Sequence, residues 1–436
     1  MNERTDLDRL LTSWLTADAP IREPEPLLGE VLARTARTRR RSAWRIPERW
    51  FPVSTITTRV EGASQFPWRT VGVIALLVLA LAVGALLVGS RAKPVPAPFG
   101  PAHNGALTFS VNGDIRALDS PTGTSRAVID GAAFDSGALF SPDGSRIAFV
   151  RGIMESADAE LWAADADGSH QRLLAATPYI GWAEWSPQGD AVAVSLDAQP
   201  TVIRMVRADG TGSTDIETGL AAAVNPIFRP SDGRQVTFRG KATDGTWGLY
   251  MIGRDGSGLQ RLDLDPGFST DVNYPENSDY YFDGPAWSPD GTQLIYYTLE
   301  PALASLAGPG FRIHVADVKR DGAVSAERML EFEATADDEY AAAWLPAGDR
   351  IVFETIEGAV HRLMVADLAP GSHARDLGLK DTEGIGFIVS PDGREVISST
   401  KFGGNDRVIA ATDLETLQTV PIPGASDDWS WQRTAP

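Results

Sequence analysis

A short phrase, in which an apolar and usually aromatic residue precedes a turn rich in Pro and Gly, returns six times along this 436-residue chain. The phrase begins at Phe140 (FSPDG), Trp185 (WSPQG), Phe228 (FRPSDG), Trp287 (WSPDG), Trp344 (WLPAG) and Val389 (VSPDG). Its copies are 45, 43, 59, 57 and 45 residues apart. Repeats of this length are typical of structures that stack one supersecondary unit many times.

Each copy of the phrase is followed by runs of alternating apolar residues. RIAFV (146–150) and ELWAAD (160–165) are examples, and a short third run often closes the unit. Period-two runs between Pro-Asp-Gly turns indicate strands joined as hairpins. Pro presets φ at the second turn position, and Gly accepts the positive φ that closes the turn. The sequence therefore predicts an all-β fold whose unit is a four-stranded antiparallel blade of a β-propeller.

The two ends of the repeat region complete one further unit. ALTFSV (106–111), DIRALD (114–119) and RAVI (126–129) match the second, third and fourth strands of a unit that has no first strand. DDWSWQR (427–433) supplies a first strand and then stops, with Trp431 placed 42 residues after Val389. We therefore predict a seven-bladed propeller over residues 105–436, closed by pairing of its N- and C-terminal strands. The repeated aromatic residues are predicted to be core, and the Asp residues of the turns to be turn formers.

The W-S-P-D-G turns and the D-x-D-G turns resemble those of the TolB-type, WD-repeat-like β-propeller family. The resemblance covers residues from about 105 to 433 and implies the fold. It implies no particular activity, because propellers include binding proteins and many enzymes. The sequence departs from the pattern at 229–233 and at 345–348, which predicts altered turns in those two blades.

Residues 71–89, VGVIALLVLALAVGALLVG, are nineteen consecutive uncharged residues. As a helix they would span about 28 Å, close to the thickness of a hydrocarbon core. We therefore predict a transmembrane helix; a buried globular helix and a cleaved signal peptide are the alternatives. Seventy residues precede this run, more than the charged start of a signal peptide contains.

The charge distribution predicts the orientation of this span. Residues 1–70 carry 12 Arg, no Lys and 9 acidic residues, a net charge of +3. Since the whole chain has a net charge of −19, the remaining residues have a net charge of −22. Seven of these Arg lie in 34–50, and basic segments stay on the cytoplasmic side. We predict a cytoplasmic Arg-rich segment with two short helices (1–70), a Pro-rich stalk (90–104) and an extracytoplasmic propeller. So acidic a propeller repels nucleic acid, which is excluded as a partner.

The longest connections follow the second and fourth strands of the units, and in a propeller these emerge on one face. Acidic residues precede four of the first strands, at Asp135, Asp283, Glu339 and Asp427. We predict that they meet at the lip of the central channel and bind a small cationic ligand or a basic protein, with Tyr274, Tyr280, Tyr281 and Trp429 adding aromatic contacts. Alternatively, the acidic residues only end their strands in water, and the aromatic residues only pack within the loops. No cofactor is predicted, although carboxylates in this arrangement also suit a divalent cation.

No catalytic motif stands out, since the chain has no HExxH, GxSxG, GxGxxG or P-loop sequence. We therefore predict a membrane-anchored module that binds or senses a ligand or protein and is not an enzyme. The segment before the membrane resembles that of membrane-bound anti-sigma factors over about 60 residues, which implies a transmembrane regulator with a cytoplasmic partner. A propeller lyase or hydrolase that uses the channel-lip carboxylates is the remaining alternative.

Overall fold

A computed structural model of the chain describes Leu76 and residues 97–435, apart from 153–156, 177–179, 197–200, 231, 265–284, 300–309, 331–337, 370–371, 383, 402–406, 423 and 425–427. The chain divides into two units, Met1–Ala92 and Lys93–Pro436. The described part of the second unit forms seven antiparallel sheets of four strands each. The seven-bladed propeller predicted from the repeat is confirmed.

The strands are numbered in chain order, and each blade is given from its innermost strand outwards. Blade 1 consists of β28 (Ser430–Thr434), β1 (His103–Val111), β2 (Asp114–Leu118) and β3 (Arg126–Ile129). Blade 2 consists of β4 (Asp135–Phe140), β5 (Arg146–Arg151), β6 (Glu160–Asp165) and β7 (Arg172–Ala176). Blade 3 consists of β8 (Ile180–Trp185), β9 (Ala191–Leu196), β10 (Val202–Arg207) and β11 (Ser213–Glu217).

The other four blades follow the same order. Blade 4 consists of β12 (Ala222–Phe228), β13 (Gln235–Lys241), β14 (Trp247–Gly253) and β15 (Gln260–Arg261). Blade 5 consists of β16 (Ala286–Trp287), β17 (Gln293–Leu299), β18 (Phe311–Val318) and β19 (Val324–Met329). Blade 6 consists of β20 (Asp338–Trp344), β21 (Arg350–Glu357), β22 (Val360–Asp367) and β23 (Arg375–Asp381). Blade 7 consists of β24 (Phe387–Val389), β25 (Glu395–Lys401), β26 (Arg407–Asp413) and β27 (Thr419–Pro421).

The C-terminal strand closes the ring, as predicted. β28 pairs with β1, with Trp431 opposite Leu107. It also contacts the next blade, since Ser430 Oγ accepts a hydrogen bond from the Phe140 N–H at 2.9 Å. The side chain of Gln432 donates to the Gly144 carbonyl at 2.7 Å. One short strand thus joins the start of the propeller to its end.

The repeated aromatic residues pack between blades, as predicted. Trp185 and Trp344 are 4% and 9% exposed. Their indole N–H groups donate to the preceding blade, to the Leu139 carbonyl at 2.9 Å and to the Ala286 carbonyl at 3.0 Å. Each of these two tryptophans therefore adds a directional contact to its apolar burial and fixes one blade against the next.

The turns after the inner strands use their Ser and Asp residues locally. In blade 2, Asp143 accepts hydrogen bonds from the Ser141 hydroxyl at 2.6 Å and the Ser145 N–H at 3.1 Å. The turn at 345–348 has the backbone hydrogen bond that also closes the turn of blade 2, here from the Gly348 N–H to the Leu345 carbonyl at 2.9 Å. The altered turn predicted there is therefore not observed.

The turn of blade 4 is different because Arg229 stands where blades 2, 3, 5 and 7 have Ser. Its guanidinium donates to the carbonyls of Gly291 and Lys319 in blade 5, each at 2.8 Å, and covers the Trp287 ring. The arginine is 6% exposed and holds the two blades together. The Arg229 N–H donates to the Gln235 carbonyl, six residues further on, whereas the equivalent bond of blade 2 joins Ser141 to Arg146; the turn predicted to be altered at 229–233 is thus one residue longer.

Three inner strands contain a β-bulge at the same place. The pairing register shifts after Ser136 in β4, after Val224 in β12 and after Tyr340 in β20. The next residue of each strand has a positive φ, namely Gly137 (62°), Asn225 (51°) and Ala341 (52°). A bulge adds one residue to one strand, so side chains before it change to the other face of the sheet.

The antiparallel pairing defines two faces of the propeller. The plain face carries the turns that follow the first and third strands; the elaborated face carries the connections that follow the second and fourth strands. The connection between β13 and β14, which follows a second strand, is nevertheless short, because β13 ends at Lys241 and β14 begins at Trp247.

The segment before β1 runs along the plain face. The Ala102 N–H donates to the Pro391 carbonyl at 2.9 Å, and Phe99–Pro101 lie beside the turns that contain Pro289 and Pro346. Among the described residues, no helix is both long enough and apolar enough to cross a membrane. The predicted span 71–89 lies outside them except for Leu76.

Candidate functional site

Asp135, predicted to stand at the channel lip, is a buried carboxylate paired with an arginine. It is 1% exposed, and Arg151 Nε and Nη2 donate to its two oxygens at 2.7 and 3.0 Å. Arg151 also lies over the Trp162 ring at 4.4 Å. The hydrogen bonds from Arg151 to Asp135 raise the pKa of the guanidinium above its ordinary value. Arg151 thus already occupies the position that a cationic ligand of Asp135 would take.

Glu339 is also buried, between blades 5 and 6. It is 3% exposed, and its Oε2 has no hydrogen-bond partner among the described residues. Burial raises the pKa of its carboxyl to about 7, while the positive charge of Arg312 and the N–H of Ile313 act in the opposite direction. Its protonation state therefore changes near neutral pH.

The stability contributed by Glu339 is expected to depend on pH. A carboxyl whose pKa rises from 4.5 to about 7 on folding destabilises the propeller progressively as the pH increases between these values. Glu339→Gln removes this charge, so the variant should match the wild type below pH 4 and be more stable by about 3 kcal/mol above pH 7. Urea unfolding across this pH range measures the difference. A constant difference at every pH would contradict the assignment.

The bulges explain why both acids are buried. Asp135 is opposite Arg151 and Glu339 is opposite Thr355, on the faces that also carry Phe140 and Trp344. Strict alternation from either aromatic residue would place the acid on the other face. The structure therefore buries both acids, Asp135 beside Arg151 within blade 2 and Glu339 between blades 5 and 6.

The remaining predicted site residues are only partly described. Asp283, Asp427, Tyr274, Tyr280 and Tyr281 lie outside the described residues. Trp429 is partly buried and packs against the apolar cluster shared by blades 7 and 1. Their role in ligand binding stays a prediction.

The inner strand of blade 3 presents a carboxyl that the sequence analysis missed. Glu184 precedes the aromatic residue Trp185, and its Oε1 accepts a hydrogen bond from the Phe228 N–H of blade 4 at 3.3 Å. Ser430 makes the equivalent contact to Phe140. The other five residues at this position are apolar: Leu139, Ile227, Ala286, Ala343 and Ile388. Aligning the repeated phrases one residue earlier would have revealed Glu184.

Trp182 shares a face of β8 with Glu184. They pair with Ser195 and Ala193 of β9, two residues apart, and both are partly exposed. The indole Nε1 of Trp182 is buried, and the group it approaches is the Glu184 carboxyl. Burial raises the pKa of Glu184 to about 8, against the opposing effects of the Phe228 N–H and the Trp182 indole. At neutral pH the carboxyl is therefore mostly protonated.

Other groups of polar residues line clefts on the plain face. A cleft of about 630 Å³ lies between blades 4 and 5, and one of about 810 Å³ between blades 6 and 7. Both combine Arg with Asp side chains, so neither presents one sign of charge. Within the described ranges, no three His, Cys, Asp or Glu side chains are grouped closely enough to hold a metal ion.

Comparison with known proteins identifies the fold. No protein-family model matches the chain, and no curated protein matches it. It is similar to tricorn protease, with 14% identity, a TM-score of 0.51 and coverage of 78% of this chain and 35% of that one. It is also similar to an oligogalacturonate lyase in complex with manganese, with 13% identity, a TM-score of 0.50 and coverage of 74% and 85%.

TolB from Acinetobacter baumannii is a further similar structure, with 17% identity, a TM-score of 0.45 and coverage of 77% and 81%. The chain spans only 35% of the length of tricorn protease. At such identities the likeness establishes the β-propeller fold and nothing about activity.

Proposed function

We propose that this chain is a single-pass membrane-anchored extracytoplasmic β-propeller that binds a ligand or a protein partner on its elaborated face. The observation that carries the proposal is the course of residues 97–102. These residues join the propeller on the plain face, where Ala102 is bonded to Pro391 and Phe99–Pro101 lie beside two turns. An anchor on this segment leaves the opposite face accessible, and loops on a rigid scaffold commonly carry binding residues.

Binding accounts for the described side chains better than catalysis does. An enzyme that used the lip carboxylates would need at least one of them to be available to a substrate. The two that the structure describes are not: Asp135 is held by Arg151, and Glu339 lies buried between two blades. A hydrolase or lyase that used these two residues is therefore the less favoured proposal.

The proposal extends to the cytoplasmic side. An Arg-rich segment before a membrane span is suited to hold an acidic cytoplasmic protein, and a transmembrane regulator of this kind would report occupancy of the propeller. Topology determination and attraction to anionic lipid are the simpler uses of the same arginines.

Affinity capture from membranes separates these proposals. The full chain should capture an envelope protein, and replacing Tyr274, Tyr280 and Tyr281 with Ser should weaken the capture about tenfold or more, because aromatic side chains dominate binding surfaces. The matched control on the plain face, Arg320→Ser, should bind as the wild type does. Equal capture by the Tyr variant and the wild type would contradict binding through this face. A cytoplasmic protein that is lost when residues 1–70 are removed would identify a regulator.

A further inference from the structure

The free edges of the inner strands face the central channel, and Glu184 lies between two of them. Its Oε1 accepts the edge N–H of Phe228 in β12, and the residue as a whole is partly exposed. An edge strand presents unpaired N–H groups, and one side chain per blade is enough to satisfy such a group. Ser430 does this with a hydroxyl. A carboxyl at Glu184 therefore does more than the fold requires.

The described strands packed against Glu184 contain no cation to balance its charge. The strands packed against β8 are β4, β9 and β12. β9 and β12 contain no titratable residue, and the only one in β4 is Asp135, which Arg151 already neutralises. The raised pKa of Glu184 has desolvation as its main cause and no charged neighbour among its causes. A cation that reached the carboxyl would therefore be its first ionic partner among these elements.

Trp182 completes the arrangement. Its ring lies on the same face of β8 as Glu184, two residues earlier. A carboxylate beside an indole ring suits an ammonium group, which forms an ion pair with the carboxylate and can contact the ring. The net charge of −22 over residues 71–436 attracts cations to the propeller as a whole.

We propose that Glu184 and Trp182 form a subsite for an organic ammonium group at the wall of the channel, and that binding releases the carboxyl proton to solvent. The ammonium group forms an ion pair with the carboxylate and keeps its own protons. One cation therefore enters the site as one proton leaves it. This inference rests on the proposed binding function and names the class of ligand. It also moves the cation site predicted from the sequence away from Asp135 and Glu339.

Titration calorimetry of the detergent-solubilised full chain with butylammonium tests the subsite, with butanol as the uncharged probe. Butylammonium is charged at both pH 6 and pH 8. Since the carboxyl must lose its proton, the affinity should rise about 50-fold between these values, and butanol should not bind. Buffers of different ionisation enthalpy should report about 0.9 proton released per ligand at pH 7.

The variants distinguish the two residues. Glu184→Gln should abolish both binding and proton release, whereas Glu217→Gln, on the exposed outer strand of the same blade, should change neither. Trp182→Leu should weaken binding about tenfold while keeping the proton release. Equal binding by Glu184→Gln, an affinity that falls as the pH rises, or no saturable heat would each overturn the subsite. If Glu184→Gln still captures the envelope partner, binding on the elaborated face stands without this subsite.

Discussion

Deletion of residues 427–436 is expected to abolish cooperative unfolding of the propeller. These residues contain β28, the innermost strand of blade 1, which pairs with β1 and places Trp431 opposite Leu107. Without it, β1 becomes an unpaired inner edge, and Phe140 loses the Ser430 hydroxyl that accepts its N–H. A domain has only about 5–15 kcal/mol of stability, so the loss of one strand from a closed ring consumes most of it.

Circular dichroism during heating measures this effect in the detergent-solubilised full chain and the truncated chain. The matched control removes only Ala435 and Pro436, which follow β28, and should melt as the wild type does. A truncated chain with the same melting temperature as the wild type would show that the ring does not depend on its terminal strand. The deletion thus tests the closure directly.

The fold could be predicted because one phrase contains both a core residue and a turn. Trp185 shows the relation, since the same residue begins the phrase and donates its indole N–H to the preceding blade. The two incomplete units could be joined because a first strand and the other three strands of a blade have different sequence patterns. The start of the repeat region has the pattern of the other three strands, and its end has the pattern of a first strand. The pairing of β28 with β1 follows from counting these patterns.

The candidate site could not be predicted in the same way because it depends on the bulges. Gly137, Asn225 and Ala341 share a positive φ but no common residue type, and Ala is rarely found there. Alternation counted without the extra residue places Asp135 and Glu339 on the wrong face of their blades. The bulge turns Asp135 towards Arg151 of its own blade and Glu339 towards blade 5, so both acids are buried.

The two acids with raised pKa values respond to pH in the same direction. The pKa values of Glu339 and Glu184 are raised to about 7 and about 8 because burial disfavours the charged form. At low pH each carboxyl is protonated and the folded state is at its most stable. As the pH rises from 4.5 to the pKa of the carboxyl in the folded state, the folded state progressively loses stability. A cation beside Glu184 would restore part of the loss, so ligand binding and alkaline stability are coupled at this position.

Asp135→Ala is expected to destabilise the propeller by about 3–5 kcal/mol, because it leaves the Arg151 guanidinium beside an empty, desolvated position. The carboxylate is 1% exposed and accepts two hydrogen bonds from this arginine. Arg151 stays packed over the Trp162 ring and keeps its hydrogen bond to Gln171 at 3.0 Å, so it cannot turn into water without further loss.

Asp215→Ala is the matched control, because Arg204 donates to both Asp215 oxygens at 2.7 and 2.8 Å in an ion pair whose carboxylate is 34% exposed. Exposed pairs contribute less than about 1 kcal/mol, so this variant should unfold at nearly the wild-type urea concentration. The double variant Asp135→Leu with Arg151→Met removes both charges and should recover most of the stability. If Asp135→Ala costs no more than Asp215→Ala, Asp135 is not a structural partner of Arg151, and its carboxylate is again available as the cation ligand that the sequence predicted.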